Sequence, residues 1–117
     1  MLFETWIESD LKKLPTVMRL RGRFFSEDTN ANKVGVIVTD NGESVNLTGN
    51  VRGYIIKPDG TMINDIIGSK SGNRAWIVLP SSAYSQQGQI TVTIKLINGT
   101  EVTTLGALEA YVYPSTL

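Results

Sequence analysis

A catalytic site in this chain would have to be built without histidine and without cysteine, since neither occurs among its 117 residues. That removes the side chain that most often serves as a general base near neutral pH, the usual thiol nucleophile, and the ligands of nearly every zinc, copper or haem site. Carboxylates, lysine, serine and tyrosine remain. The eleven acidic residues fall mostly in turns or at outward strand positions, as at Asp40, Glu43, Asp59 and Glu101. No spacing pairs two of them across a cleft, as acid–base work on a glycosidic bond requires. They read as solvated surface acids. No enzyme activity, cofactor or metal is expected.

Other patterns have plainer readings. Asp28, Asn30 and Asn32 form Asp-x-Asn-x-Asn, the first half of a calcium loop. Lys33 stands where that loop needs glycine and Thr39 where it needs a bidentate glutamate, so the stretch reads as a polar loop leading into a strand. Asn46-Leu47-Thr48 and Asn98-Gly99-Thr100 match the glycosylation acceptor pattern, yet both sit at turns where these residues are expected anyway. The glycines are scattered, with no phosphate-cradling cluster between a strand and a helix. Trp76 and Tyr54, at outward strand positions, could form a platform for a sugar, and burial in a core or interface is the alternative.

One concentration of charge stands out. Arg19, Arg21 and Arg23, just after Lys12 and Lys13, give either a solvated strand face that discourages edge pairing or a docking stripe for an acidic partner. Aromatic residues are not interleaved with the arginines, as single-stranded nucleic-acid binding would favour. Eleven basic and eleven acidic residues cancel, so no overall field recommends nucleic acid or an anionic membrane as partner.

The elements that must position these residues are strands. Asp40-Asn41-Gly42, Asp59-Gly60, Gly72-Asn73 and Asn98-Gly99 are tight-turn signals between alternating runs. Gln89 to Ile97 alternates cleanly, with Ile90, Val92, Ile94 and Leu96 toward a core. Further strands are expected at Val34 to Thr39, Val51 to Lys57, Met62 to Ile67, Arg74 to Leu79 and Glu101 to Tyr113, the last with a bulge near Gly106. Pro80 to Gly88 reads as a short helical turn plugged by Ala83 and Tyr84. Thr16 to Phe25 alternates with Met18, Leu20 and Phe24 on one side and the arginines on the other. Before it, Leu2, Phe3, Trp6, Ile7, Leu11 and Leu14 recur at three- and four-residue steps, which fits a short amphipathic helix ended by Pro15, or an extended arm laid on a neighbour. The expected fold is all-β, an immunoglobulin-like antiparallel sandwich over residues 16–117 with an N-terminal docking arm over residues 1–15. No apolar run approaches the roughly 20 residues of a membrane span, and Met1 to Asp10 does not read as a secretory signal.

Val36-Ile37-Val38-Thr39-Asp40-Asn41-Gly42-Glu43, Val45-Asn46-Leu47-Thr48-Gly49, Ile56-Lys57-Pro58-Asp59-Gly60-Thr61 and the strand from Gly88 to Leu96, in this order and spacing, resemble the N-terminal domain of the baseplate upper protein family of phages of Gram-positive bacteria. The leading segment, Asp10-Leu11-Lys12-Lys13 through Gly22 to Val34-Gly35-Val36, resembles related small phage virion proteins. The resemblance implies an immunoglobulin-like sandwich that anchors appendages to the particle, on baseplate or head, commonly as multimers. The chain departs from the longer baseplate members by stopping at Leu117, without a helical stalk or receptor-binding domain, which turns the expectation toward capsid decoration or a short head fibre.

The expected function is therefore that of a virion structural protein made in the host cytoplasm. It would be a homo-oligomer bound to phage capsid, tail or baseplate proteins through Leu2, Phe3, Trp6, Ile7, Arg19, Arg21 and Arg23, with no nucleic-acid or membrane partner. A baseplate or tail adaptor is the alternative, and a carbohydrate-binding module a second one.

Overall fold

The computed structural model of the chain describes residues 2–20 and 24–114. Among them are ten strands: β1 (Phe3–Asp10), β2 (Thr16–Leu20), β3 (Asn32–Asp40), β4 (Glu43–Ser44), β5 (Asn50–Ile56), β6 (Met62–Ile67), β7 (Ser69–Ser71), β8 (Arg74–Val78), β9 (Gly88–Asn98) and β10 (Glu101–Val112). A single 3₁₀ turn, Ser81–Tyr84, lies between β8 and β9 with Ala83 and Tyr84 buried, as the sequence predicts. The described residues include no helix long and apolar enough to cross a membrane.

Two sheets pack face to face. The first runs β1-β3-β8-β7, with β4 also paired to β3, and the second runs β2-β10-β9-β5-β6. Their inner faces are the alternating sets anticipated from the sequence: Val34, Val36 and Val38 of β3 with Ala75 and Ile77 of β8, against Val51 and Ile55 of β5, Ile90, Val92 and Ile94 of β9, and Leu108, Ala110 and Val112 of β10, all buried. Each large side chain so removed from water contributes roughly 1.5 to 3 kcal/mol before ordering costs. Gly53 on β5 exists for this packing: a Cβ there would come within 2.4 Å of the Ile77 side chain on the facing sheet. The bulge expected near Gly106 is present, as a register shift between Thr104 and Gly106.

The N-terminal segment corrects the sequence reading. Phe3–Asp10 is a strand and not a helix. It pairs with β3 along its whole length, from Phe3 with Asn32 to Asp10 with Thr39, and in parallel. β2 likewise runs parallel to β10, from Thr16 with Gly106 to Leu20 with Ala110. The sheets are thus mixed and not purely antiparallel, because both outer strands are supplied by one segment that crosses from the first sheet to the second at residues 11–15. Ile7 is wholly buried in the core, which corrects the expectation that it serves docking to a partner. Its neighbours Trp6 and Glu8 point to the opposite face.

Ile7→Ala is therefore expected to destabilise the fold by about 2 to 5 kcal/mol, the range for emptying a large aliphatic site in a core, measured by urea unfolding. Removal of residues 1–14 should abolish two-state unfolding, because it also strips β3 of the strand paired along one whole edge.

The hairpins differ in kind. β3 and β4 are joined by Asn41 and Gly42, with φ of 52° and 84°, a two-residue turn with both central residues left-handed. Between β9 and β10 the pairing of Asn98 with Glu101 leaves Gly99 and Thr100 as the central residues. Only Gly99 has positive φ, 62°, so the turn is of the mirror-image kind with glycine in first place, one residue beyond the Asn98-Gly99 signal read from the sequence. Glycine is still required at 99. Gly99→Val should lower stability by about 1 to 3 kcal/mol through backbone strain alone, since nothing lies within 4 Å of the added Cβ. An unchanged melting temperature would contradict this.

Candidate functional site

The region built by the N-terminal segment holds most of the residues singled out for docking, and it begins with a carboxylate. Asp10 closes β1, and its side chain accepts hydrogen bonds from the backbone N–H of Lys12 (2.9 Å), the N–H of Asn41 (3.0 Å), the N–H of Gly42 (2.7 Å) and the hydroxyl of Thr39 (2.9 Å). Those donors, led by Lys12 and Gly42, hold its carboxyl well below the usual carboxylate range, against a smaller opposing effect of burial. One side chain therefore ties the corner after β1 to the end of β3 and to the β3–β4 turn. Ser9 adds a bond from the Thr16 N–H to its Oγ (3.3 Å), and the Leu11 N–H bonds the Thr39 carbonyl (2.8 Å). The Lys12 ammonium lies 3.6 Å from Asp40 at the surface, a contact of small energetic weight. An open hollow of about 290 Å³ beside the corner is lined by Glu8, Asp10, Lys13, Leu14 and Thr39 among others.

Around this corner apolar side chains stand in water. Leu14 is 89% exposed, Val17 on β2 55%, and Leu11 in the turn 43%. Leu2 is exposed at the start of β1, whereas Phe3 is half-buried. Arg19 lies on the outer face of the second sheet, its Nε donating to Glu109 Oε2 at 2.9 Å. Arg21 and Arg23 lie outside the described residues, so the stripe is seen only at its first member. Ile7 is spent on the core. Leu11, Leu14 and Val17 carry more exposed apolar surface than the residues first singled out. Their adjacency to Pro15 and to a basic run was the available signal.

Trp6 is half-buried for a different reason. It lies over Gly35 of β3, where a Cβ would sit 2.4 Å from its ring, and meets Trp76 of β8 edge-on at 6.0 Å and 69°. Trp6 Nε1 donates to Glu4 Oε1 at 3.0 Å. The Arg74 guanidinium sits 5.2 Å from the Trp6 ring and the Lys33 ammonium 5.1 Å from the Trp76 ring, within cation–π range. Tyr54 is on the outer face of the other sheet. Its hydroxyl donates to Asp65 Oδ1 at 2.9 Å and its ring lies under Lys95 at 5.2 Å. The hydrogen bond to Asp65, with burial second, raises its pKa. Trp76 and Tyr54 thus face opposite ways, which corrects the idea that they share a sugar-stacking platform.

The remaining candidates are structural in their contacts. Asn32 is buried and donates through Nδ2 to the Tyr84 hydroxyl at 3.0 Å, and burial raises the pKa of that phenol. Asp59 accepts from the Thr61 hydroxyl (2.6 Å), the Thr61 N–H (2.9 Å) and Gln86 Nε2 (2.8 Å), which together lower its pKa to about 2. Among the described residues no group of three or more acidic residues converges as a metal site would.

A carboxyl whose folded pKa is depressed adds stability above its unfolded pKa, near 3.8 for aspartate, and loses it as pH falls through the folded value. Asp10→Asn should therefore lower the urea midpoint relative to wild type at pH 7. The gap should close steadily below about pH 4 as the wild type loses its own carboxylate. A pH-independent gap would mean that the charge on Asp10 carries none of the effect.

No family model and no curated protein matches the chain. Among solved structures it is similar to the "N-terminal domain of phage TP901-1 ORF48", with a TM-score of 0.55 at 12% identity, covering 97% of this chain and 98% of that one. The two share a fold over nearly their whole lengths.

Proposed function

We propose that the chain is a structural component of a phage particle: a non-catalytic docking module on the particle surface, of the capsid-decoration or head-fibre kind. The observation that carries this reading is the end-to-end fold shared with the N-terminal domain of a phage protein, together with the sequence resemblance to baseplate upper proteins and small virion proteins. A baseplate or tail adaptor is the second reading, and the sequence resemblance to baseplate upper proteins favours it. The particle-facing surface in either case is the corner between β1 and β2. Leu11, Leu14 and Val17 supply exposed apolar area there, with Arg19 beside them on β2 to steer toward an acidic surface. Leu2 and Phe3, at the far end of β1, extend the contact when the partner surface is broad.

Leu14→Asp and Val17→Asp replace exposed residues and should leave the melting temperature within a degree or two of wild type. Each is expected to weaken rebinding to particles lacking the protein by about tenfold or more, in a co-sedimentation assay. Undiminished rebinding by both variants would rule out the corner. Absence of rebinding by the wild type to any part of the particle would rule out the virion role. Immunogold labelling of intact particles distinguishes capsid from tail.

A further inference from the structure

The outer face of the first sheet is ordered in rows across its strands. The central row is Trp6, Gly35 and Trp76, fixed by the pairing of Trp6 with Gly35 and of Gly35 with Trp76. One row along the strands, Glu8 on β1 and Arg74 on β8 flank Ile37 of β3. Arg74 and Lys33 each rest on an indole ring, and neither has a carboxylate within ion-pair distance among the described residues. Glu8, on the opposite margin, is exposed and has no cationic partner among them either. Tryptophan and arginine on one exposed face are the residue types that dominate interface energetics. A stacked sugar is disfavoured, because the rings meet at 69° and each already carries a cation.

We propose that two copies of this chain associate face to face through this surface, about a twofold axis that runs parallel to the strands above β3. That operator exchanges the two margins while keeping each position along the strands. It sets Trp6 of one copy against Trp76 of the other and Glu8 against Arg74, twice over by symmetry, as an isologous interface requires; Lys33 of β3 then lies beside its own copy near the axis, its ammonium drawn aside onto the Trp76 ring. The other in-plane twofold, perpendicular to the strands, would set Glu8 against Glu4 and leave Arg74 against Val78, so like charges reject it. The cation–π contacts hold Arg74 near its bonding position before association, which reduces the ordering cost. The proposal is independent of which surface meets the particle.

The test is sedimentation equilibrium of the full chain from low micromolar to submillimolar concentration, with fold checked by circular dichroism and melting temperature. The wild type is expected to pass from 12.8 kDa to twice that mass, with weaker association at high salt. Glu8→Arg and Arg74→Glu should each weaken the dimer about tenfold or more. An equimolar mixture of the two variants, in which opposite charges meet again at both contacts, should recover association to within about threefold of wild type. Trp76→Ala should weaken the dimer in every charge background. A wild type that stays monomeric throughout, or forms trimers, overturns the proposal. So does a stronger dimer for Glu8→Arg alone, or a mixture of folded variants that fails to recover.

Discussion

The carboxylate of Asp10 sits where three pieces of chain meet, and the closure of the sandwich at that end depends on it. β1 ends there, the chain turns through residues 11–15 toward the other sheet, and the β3–β4 hairpin presents two backbone N–H groups that its own turn leaves unpaired. A two-residue turn with both residues left-handed points those donors outward, at exposed positions where the Asp10 carboxylate takes the place of water. A single charged acceptor satisfies both, along with the Lys12 N–H and the Thr39 hydroxyl. Charge-assisted bonds of this kind are stronger than neutral ones. The parallel pairing of β1 with β3 follows, because Asp10 can reach the hairpin only if β1 ends at the same end of the sheet as β3.

The same segment then serves the second sheet. A strand that changes sheets must break its pairing within a few residues and re-form it on a different neighbour, and at residues 11–15 this is done by a short corner that follows Asp10 and ends at Pro15. The chain repeats the manoeuvre between β6 and β7 with glycine. Gly68 joins a strand of the second sheet to one of the first, its N–H bonds the Val51 carbonyl at 3.0 Å, and a Cβ there would lie 2.5 Å from the Trp76 carbonyl. Of the chain's passages between the sheets, these two join edge strands, at opposite edges of the sandwich. This matters for a domain with no cysteine available for a disulfide.

Much of this architecture was legible in the alternation of β3, β5, β8, β9 and β10, because one face of each is core and the other solvent. The turns were legible from their glycines. The N-terminal segment was not, and the reason lies in Trp6 and Ile7. In a strand with one wet face these adjacent positions should differ in polarity. Here Ile7 fills the core and Trp6 covers Gly35 on the outside, so both are apolar, and with Phe3 and Leu11 they imitate helical spacing. Ser9 and Thr5, inward by register, are polar and weaken the strand signal further. Parallel pairing leaves no turn signal, since no hairpin links β1 to β3. The opposition of Trp76 and Tyr54 was equally hidden, because outward positions can be read from each strand but not the sheet to which the strand belongs.

Gly35 and Gly53 sharpen the contrast between the two faces. Glycine within a strand costs roughly 0.5 to 1 kcal/mol against alanine through lost chain entropy. At Gly53 that cost is offset inside the core, where Ile77 of the other sheet occupies the space a Cβ would take. At Gly35 the space is taken by an indole on the outer face, where a threonine or valine would have suited the strand better. The fold gains from this only what Trp6 recovers by covering backbone that water would otherwise solvate at little cost. Core packing therefore explains the glycine of β5, whereas that of β3 lets a large aromatic side chain lie over the sheet, edge-on to Trp76.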